Sequence, residues 1–257
     1  MRAWLTCGVA ILALAGCASL GGSQAGRYLA QDAYDARKVV PPPPAPGSAA
    51  AEQDRQTFLA TRQLKDGPRW SLAQADAREA KILAGFSCAL GVTPTRETTP
   101  RLAALLQRAS HDVRSAVAGP KRLYKRKRPY QTEPGPICAR SGLIVALTPD
   151  YPSGHATWGW TVGLILAKAQ PQRSDAILAR ARAYGESRVV CGVHNASSVA
   201  AGRLNAVGLV DALQASPTFE ADLAAVSAEL DAARAAGPAP DKAQCDAETA
   251  LLAQPLS

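Results

Sequence analysis

The sequence is short of the residues on which metal centres and β-rich folds depend. Among 257 residues there are only three histidines, and the six cysteines lack the close paired spacing of a zinc site, so no metal centre of a usual ligand pattern is readable. Aromatic residues make up 5% and β-branched runs are few, which weighs against strands. No internal repeat and no mid-chain shift of composition divides the chain, which predicts one folded domain. A Gly-x-Ser-x-Gly elbow is also missing, and with it the usual serine-hydrolase nucleophile.

What is present begins with a leader. Arg2 is followed by the apolar stretch Val9 to Ala15, too short to span a bilayer and too early to belong to a core, as in a secretory signal. Leu14-Ala15-Gly16-Cys17 resembles the lipobox of bacterial lipoproteins, which implies cleavage before Cys17 and acylation of its thiol. Ala18 in place of Asp favours an outer-membrane destination by the same resemblance, and a soluble periplasmic product of an ordinary signal is the alternative. Residues 1–16 are therefore read as signal, 17–51 as a Pro-rich tether or an arm across the domain, 52–235 as the helical domain and 236–257 as an irregular tail. Outside the cytoplasm thiols pair, and Cys88, Cys138, Cys191 and Cys245 allow three connectivities that the sequence does not decide.

The domain is rich in Ala, Leu, Arg and Glu with apolar residues three and four apart, which predicts an all-α bundle. Helices are expected near 53–64, 70–85, 99–117, 118–126, 155–169, 173–190, 195–214 and 218–235. Pro152, Pro171 and Pro217 stand at or before helix starts, where a missing N–H costs little.

A formal charge of +8 points to an anionic partner, and six basic residues fall between Lys121 and Arg128. Alone, that run reads as a solvated face or a patch for nucleic acid or anionic lipid. Three segments change the reading: Lys121 with six residues before Arg128-Pro129; Pro152-Ser153-Gly154-His155; and Ser187-Arg188 with five residues before His194. In order and spacing they resemble the signature of the type 2 phosphatidic acid phosphatase superfamily, which includes bacterial class A acid phosphatases and vanadium haloperoxidases. The likeness to the class A non-specific acid phosphatases extends through Arg69-Trp70, Tyr151 to Trp160, Pro171-Gln172-Arg173 and Glu186 to Gly192, and covers about residues 39–230. It implies an all-α fold of the acid phosphatase and haloperoxidase type, small phosphate monoesters as substrates, no cofactor, no metal, and a homodimer. No nucleic-acid partner is expected; contact with a membrane comes through the N-terminal lipid.

The residue chemistry agrees independently. Displacement at phosphorus crowds charge onto the transferring oxygens, so catalysis needs several fixed donors around one point. Lys121, Arg128 and Arg188 supply charge, and an arginine fork grips two oxygens at once. Ser153, Gly154 and His155 open a strongly helical run, where backbone N–H groups favour an anion; Ser153 either caps the helix or donates to the ligand. By resemblance His194 is the nucleophile that forms a phosphohistidine, and His155 protonates the leaving oxygen and then activates water. His111 matches no motif. Convergence of the motifs favours Cys138 with Cys191, leaving Cys88 with Cys245. Lys121 and Arg128 are expected to face the pocket, and Arg122, Lys125, Arg126 and Lys127 to be surface charge.

One position departs from the pattern. The family carries an aspartate four residues after the nucleophilic histidine, and here that slot holds Ser198. A hydroxyl accepts the ring's Nδ1–H without supplying charge, which predicts reduced turnover. The competing reading is a phosphate- or polyanion-binding lipoprotein that has lost turnover, in which Ser198→Asp would restore activity. A vanadate-dependent haloperoxidase is a third, resting on fold-level analogy.

Overall fold

The computed structural model describes residues 26–138, 148–254 and 256. The signal and Cys17 lie outside the described residues. The chain folds as an all-α bundle, and no strand occurs among the described residues. Its helices run α1 Ala49–Thr61, α2 Pro68–Asp76, α3 Ile82–Gly85, α4 Ser87–Leu90, α5 Pro100–Tyr124, α6 Gly154–Ala169, α7 Ser174–Val190, α8 Ala196–Gln214, α9 Pro217–Ala236 and α10 Lys242–Leu252.

Helix α6 is the centre of the bundle. It packs chiefly against α7 and α8 and also meets α5 and α9. Its sequence explains the position: Val162, Ile165, Leu166 and Ala169 are fully buried, each long aliphatic contributing about 1.5–3 kcal/mol on removal from water. Small residues set the spacing. A Cβ on Gly159 would lie 2.2 Å from the Tyr184 ring, and one on Gly163 2.3 Å from Ala181 Cβ, so α6 and α7 approach as closely as backbone allows. On the other side, a Cβ on Gly202 of α8 would fall 2.7 Å from the Ser153 carbonyl oxygen. These contacts press the α6 N-terminus against the ends of α7 and α8, where the motif residues lie.

Three sequence expectations are corrected, and the tether-or-arm alternative is decided for the described part. The predicted break between 99–117 and 118–126 does not occur, because α5 runs continuously through Pro120. Proline removes the N–H that would bond the Ala116 carbonyl, and the Asn205 side chain on α8 donates to that carbonyl instead, at 3.3 Å. The predicted helix 70–85 is interrupted after Asp76, and a 3₁₀ turn over Glu79–Lys81 precedes the short α3. The tail expected to be irregular contains α10, started by Asp241, whose carboxylate accepts from the Gln244 N–H at 2.7 Å. From residue 26 onward the Pro-rich segment lies across the domain as an arm: Ala36 and Val40 are buried, Tyr28 packs edge-on against Phe219, and the Tyr34 hydroxyl bonds the Asn205 side chain.

Among the described residues there are two disulfides, Cys88–Cys245 and Cys138–Cys191. The first fastens α10 to α4. The second ties the segment after α5 to the end of α7, where the Cys138 N–H also donates to the Cys191 carbonyl at 3.0 Å.

Candidate active site

Four pieces of backbone converge on one cleft of about 730 Å³. Lys121 comes from the last turn of α5, and Arg128 from the segment released when Lys125 takes a left-handed conformation (φ 47°) and stops the helix. Gly154 and His155 are the first residues of α6, Arg188 lies in the last turn of α7, and His194 sits in the short loop before α8. That loop turns at Gly192 (φ 74°), and Arg62 holds it by donating to the carbonyls of Val189 and Val190 at 2.9 and 2.6 Å. Lys121, Arg128, Gly154, His155, Arg188 and His194 all line the cleft. Ser153 does not: it is buried and caps α6, accepting from the Ala156 N–H at 3.2 Å.

The His194 ring is buried and held at both nitrogens. Its Nδ1 lies 2.8 Å from Asp150 Oδ1, and its Nε2 lies 3.0 Å from an Arg128 guanidinium nitrogen. A carboxylate only accepts and a guanidinium only donates, so Nδ1 carries the proton and the Nε2 lone pair accepts from Arg128 at the cleft. Burial, opposed by the Asp150 bond and reinforced by Arg128 and Lys121, brings the ring pKa down to about 3, so it is neutral in the working range. A neutral imidazole unprotonated at Nε2 among cationic donors has the form a nucleophile requires once that nitrogen is released.

His155 is arranged differently. Its ring stacks flat on Tyr184, centroids 4.4 Å apart. Nδ1 is 3.0 Å from the carboxylate of the largely exposed Glu79, and the buried Nε2 has no partner among the described residues. Burial, then the Arg188 charge, lower its pKa, while Glu79 pulls upward. A histidine bound to a carboxylate at one nitrogen and without a partner at the other can pass a proton either way.

The cationic groups are also unequal. Arg128 is committed to the protein, giving Nε to the Thr148 carbonyl and a terminal nitrogen to the Val193 carbonyl, at 2.9 and 2.7 Å. Arg188 is buried, and its Nε and one terminal nitrogen have no partner among the described residues. Burial lowers its pKa to about 10, which leaves it charged. Two orphaned charged donors beside the α6 N-terminus call for an anion. Lys121 donates to the Pro149 carbonyl, and burial, then Arg128, reduces its pKa to about 7. Arg126 is not plain surface charge as expected: it pairs with the buried Asp54 at 2.8 Å and bonds Ser197.

Ser198 does not occupy the position assigned to it. Its hydroxyl donates to Asp150 Oδ2, not to the His194 ring. The carboxylate on His194 comes from Asp150, outside all three motifs, five residues before His155 on a separate segment. Helical spacing from His194 points only along α8, so no pattern in the sequence singles out Asp150; a carboxylate abutting the Tyr-Pro-Ser-Gly-His string was the one available hint. Beyond these residues the cleft is mixed, with Ile82, Leu83, Leu106, Val113, Val117 and Trp158 lining it beside Arg96, Gln107, Ser110 and Arg114. His111, on the outer part of α5, takes no part and bonds Arg114.

The family model of the PAP2 superfamily matches residues 102–213, a span that includes every motif residue above. An acid phosphatase of Zymomonas mobilis subsp. mobilis is 40% identical over 212 residues, covering 80% of each chain. Non-specific acid phosphatases of Salmonella typhimurium and Providencia stuartii are 32% and 33% identical, covering 78% and 74% of this chain and 82% and 79% of their own.

Proposed function

From the premise that this chain belongs to the PAP2 superfamily and is an acid phosphatase, we propose that it hydrolyses phosphate monoesters through a phosphohistidine at His194, without a metal. The observation that carries this reading is the pairing of a neutral His194, unprotonated at Nε2, with the two unsatisfied donors of buried Arg188 in one cleft.

In the first half-reaction the ester phosphate is held by Arg188, Lys121 and the first-turn N–H groups of α6. The Nε2 lone pair of His194 forms the N–P bond, the ester P–O bond breaks opposite, and protonated His155 gives its Nε2 proton to the leaving oxygen. The His194 ring keeps its Nδ1 proton and becomes positive. In the second half-reaction water attacks phosphorus, its proton passes to His155, and the N–P bond breaks to return the lone pair to His194. Arg128 releases the Nε2 lone pair as the N–P bond forms, turning that N–H to a phosphate oxygen, and adds charge to the cage. Ser153 acts by fixing the helix terminus and not by touching phosphate. The mixed apolar and polar wall beyond the donors accepts the leaving group, in keeping with broad specificity.

Turnover of p-nitrophenyl phosphate in excess EDTA, inhibition by vanadate and loss of activity in His194→Ala test this reading; dependence on an added divalent cation would refute it. A phosphate-binding protein without turnover is disfavoured, since the carboxylate whose loss motivated it is supplied by Asp150. Export with acylation at Cys17 and a periplasmic or outer-membrane site belongs to the same proposal. It is supported by the lipobox-like sequence and by two disulfides, which persist in oxidising compartments. No described helix is long and apolar enough to cross a membrane. Palmitate labelling of wild-type but not Cys17→Ser protein checks the anchor.

A further inference from the structure

We infer that Asp150 is the positioning residue of the nucleophile, a carboxylate relocated from the helix after His194 to the loop before α6, with Ser198 converted from its replacement into its holder. The inference rests on the reading of His194 as nucleophile.

Every polar contact of Asp150 suits a permanent anion. It is 0% exposed, the condition in which an unpaired carboxylate is most costly. Oδ1 accepts from His194 Nδ1 at 2.8 Å and from the Asn195 backbone N–H at 3.3 Å. Oδ2 accepts from Asn195 Nδ2 at 2.9 Å and from the Ser198 hydroxyl, and Arg126 stands 3.6 Å away. Its own N–H donates to the Arg126 carbonyl at 2.8 Å, which fixes the backbone that presents it. Burial alone would raise its pKa, but His194, Ser198 and Asn195 outweigh burial and hold it below the usual range.

The consequence lies in the charge that develops on His194. When Nε2 attacks phosphorus the ring becomes positive in a buried setting already crowded by Arg128, Arg188 and Lys121. A neutral hydroxyl at position 198 cannot balance that charge. Asp150 does, and it also fixes the tautomer, because Nδ1–H is the only ring donor its Oδ1 can accept. Ser198 and Asp150 touch through Oγ and Oδ2, so a carboxylate grown from position 198 would enter the space Asp150 now fills. The two sites are alternatives and exclude one another.

The test is a swap in the full-length protein. Asp150→Ala and Asp150→Asn should lower kcat by about 10²- to 10⁴-fold, with inhibition by inorganic phosphate changed less than about threefold, since the phosphate-binding donors are untouched. Ser198→Asp alone should lower both kcat and Tm, because two buried carboxylates are forced together. The double variant Asp150→Ala/Ser198→Asp should regain at least about tenfold over Asp150→Ala, on the scale by which one well-placed charge alters a rate. If Asp150→Ala does not fold, the near-isosteric Asp150→Asn carries the same comparison. Wild-type kcat in Asp150→Asn, a gain of activity in Ser198→Asp alone, or no recovery in the folded double variant would each overturn the inference. Alkaline quench and mass spectrometry of wild-type enzyme during turnover separates the two levels. Without phosphate on His194 the nucleophile reading itself fails; with phosphate there and unchanged Asp150→Asn, only the relocated carboxylate does.

Discussion

The two site histidines share burial and a carboxylate at Nδ1 but differ at Nε2 and in the protonation state each proposed role needs, and that difference predicts the pH response. His194 is kept neutral by burial and by cations, so it is already available to attack far below neutrality. His155 must be protonated to act as the proposed acid, and burial together with Arg188 lowers its pKa, with Glu79 opposing them. Its protonated fraction falls as pH rises through that lowered pKa, which places the alkaline limb of kcat/KM on the acid side of an ordinary histidine. Glu79→Gln removes the upward pull, so the limb should move to still lower pH and activity near neutrality should drop; an unmoved limb in a kcat/KM profile would contradict this assignment. Arg188→Ala removes two buried donors and should weaken competitive inhibition by phosphate by about 10- to 100-fold, the loss of 1.5–3 kcal/mol typical of hydrogen bonds to charged groups. The participants on contiguous motifs were legible in the sequence because chemistry and spacing coincide there. Asp150 was not, because the loop that carries it is remote in sequence from His194 and meets it only across the tertiary fold.

At the scale of elements, the site depends on how closely α6 can lie against α7 and α8. Gly163→Val would drive a side chain into Ala181 and separate the helices. Overpacking of this kind costs about 1–3 kcal/mol, and at about 2–4 °C per kcal/mol for a domain of this size a calorimetric scan should show Tm lower by several degrees. Asn205 makes a different kind of joint: it satisfies the carbonyl left by Pro120 and receives the Tyr34 hydroxyl from the N-terminal arm. Helix periodicity located α6 to α9 within one or two residues, since amphipathic spacing and proline starts are local. It split α5 at a proline, because the donor that repairs the break stands on another helix. It also missed α10, whose polar, Ala-rich sequence has only a weak local signature before Cys245 is tied to Cys88.

For the whole molecule, the two disulfides have separable duties. Cys88–Cys245 closes a 157-residue separation and fastens the last helix with neither cysteine lining the cleft, whereas Cys191 lies three residues before His194. Replacing Cys88 and Cys245 by Ser should lower Tm, with a loss of about 2–5 kcal/mol, and leave kcat near the wild-type value. Replacing Cys138 and Cys191 should lower both, as thermal scans and p-nitrophenyl phosphate assays on the same preparations would show. The sequence by itself determined an all-α chain, a cationic phosphate motif and two histidines with their order, because composition, periodicity and short motifs act through near neighbours. Tertiary structure alone decided which carboxylate bonds the His194 ring, that Ser198 donates to that carboxylate, and that Ser153 caps a helix. These depend on buried polar groups finding partners across the bundle, and burial makes that pairing obligatory while linear spacing leaves it open.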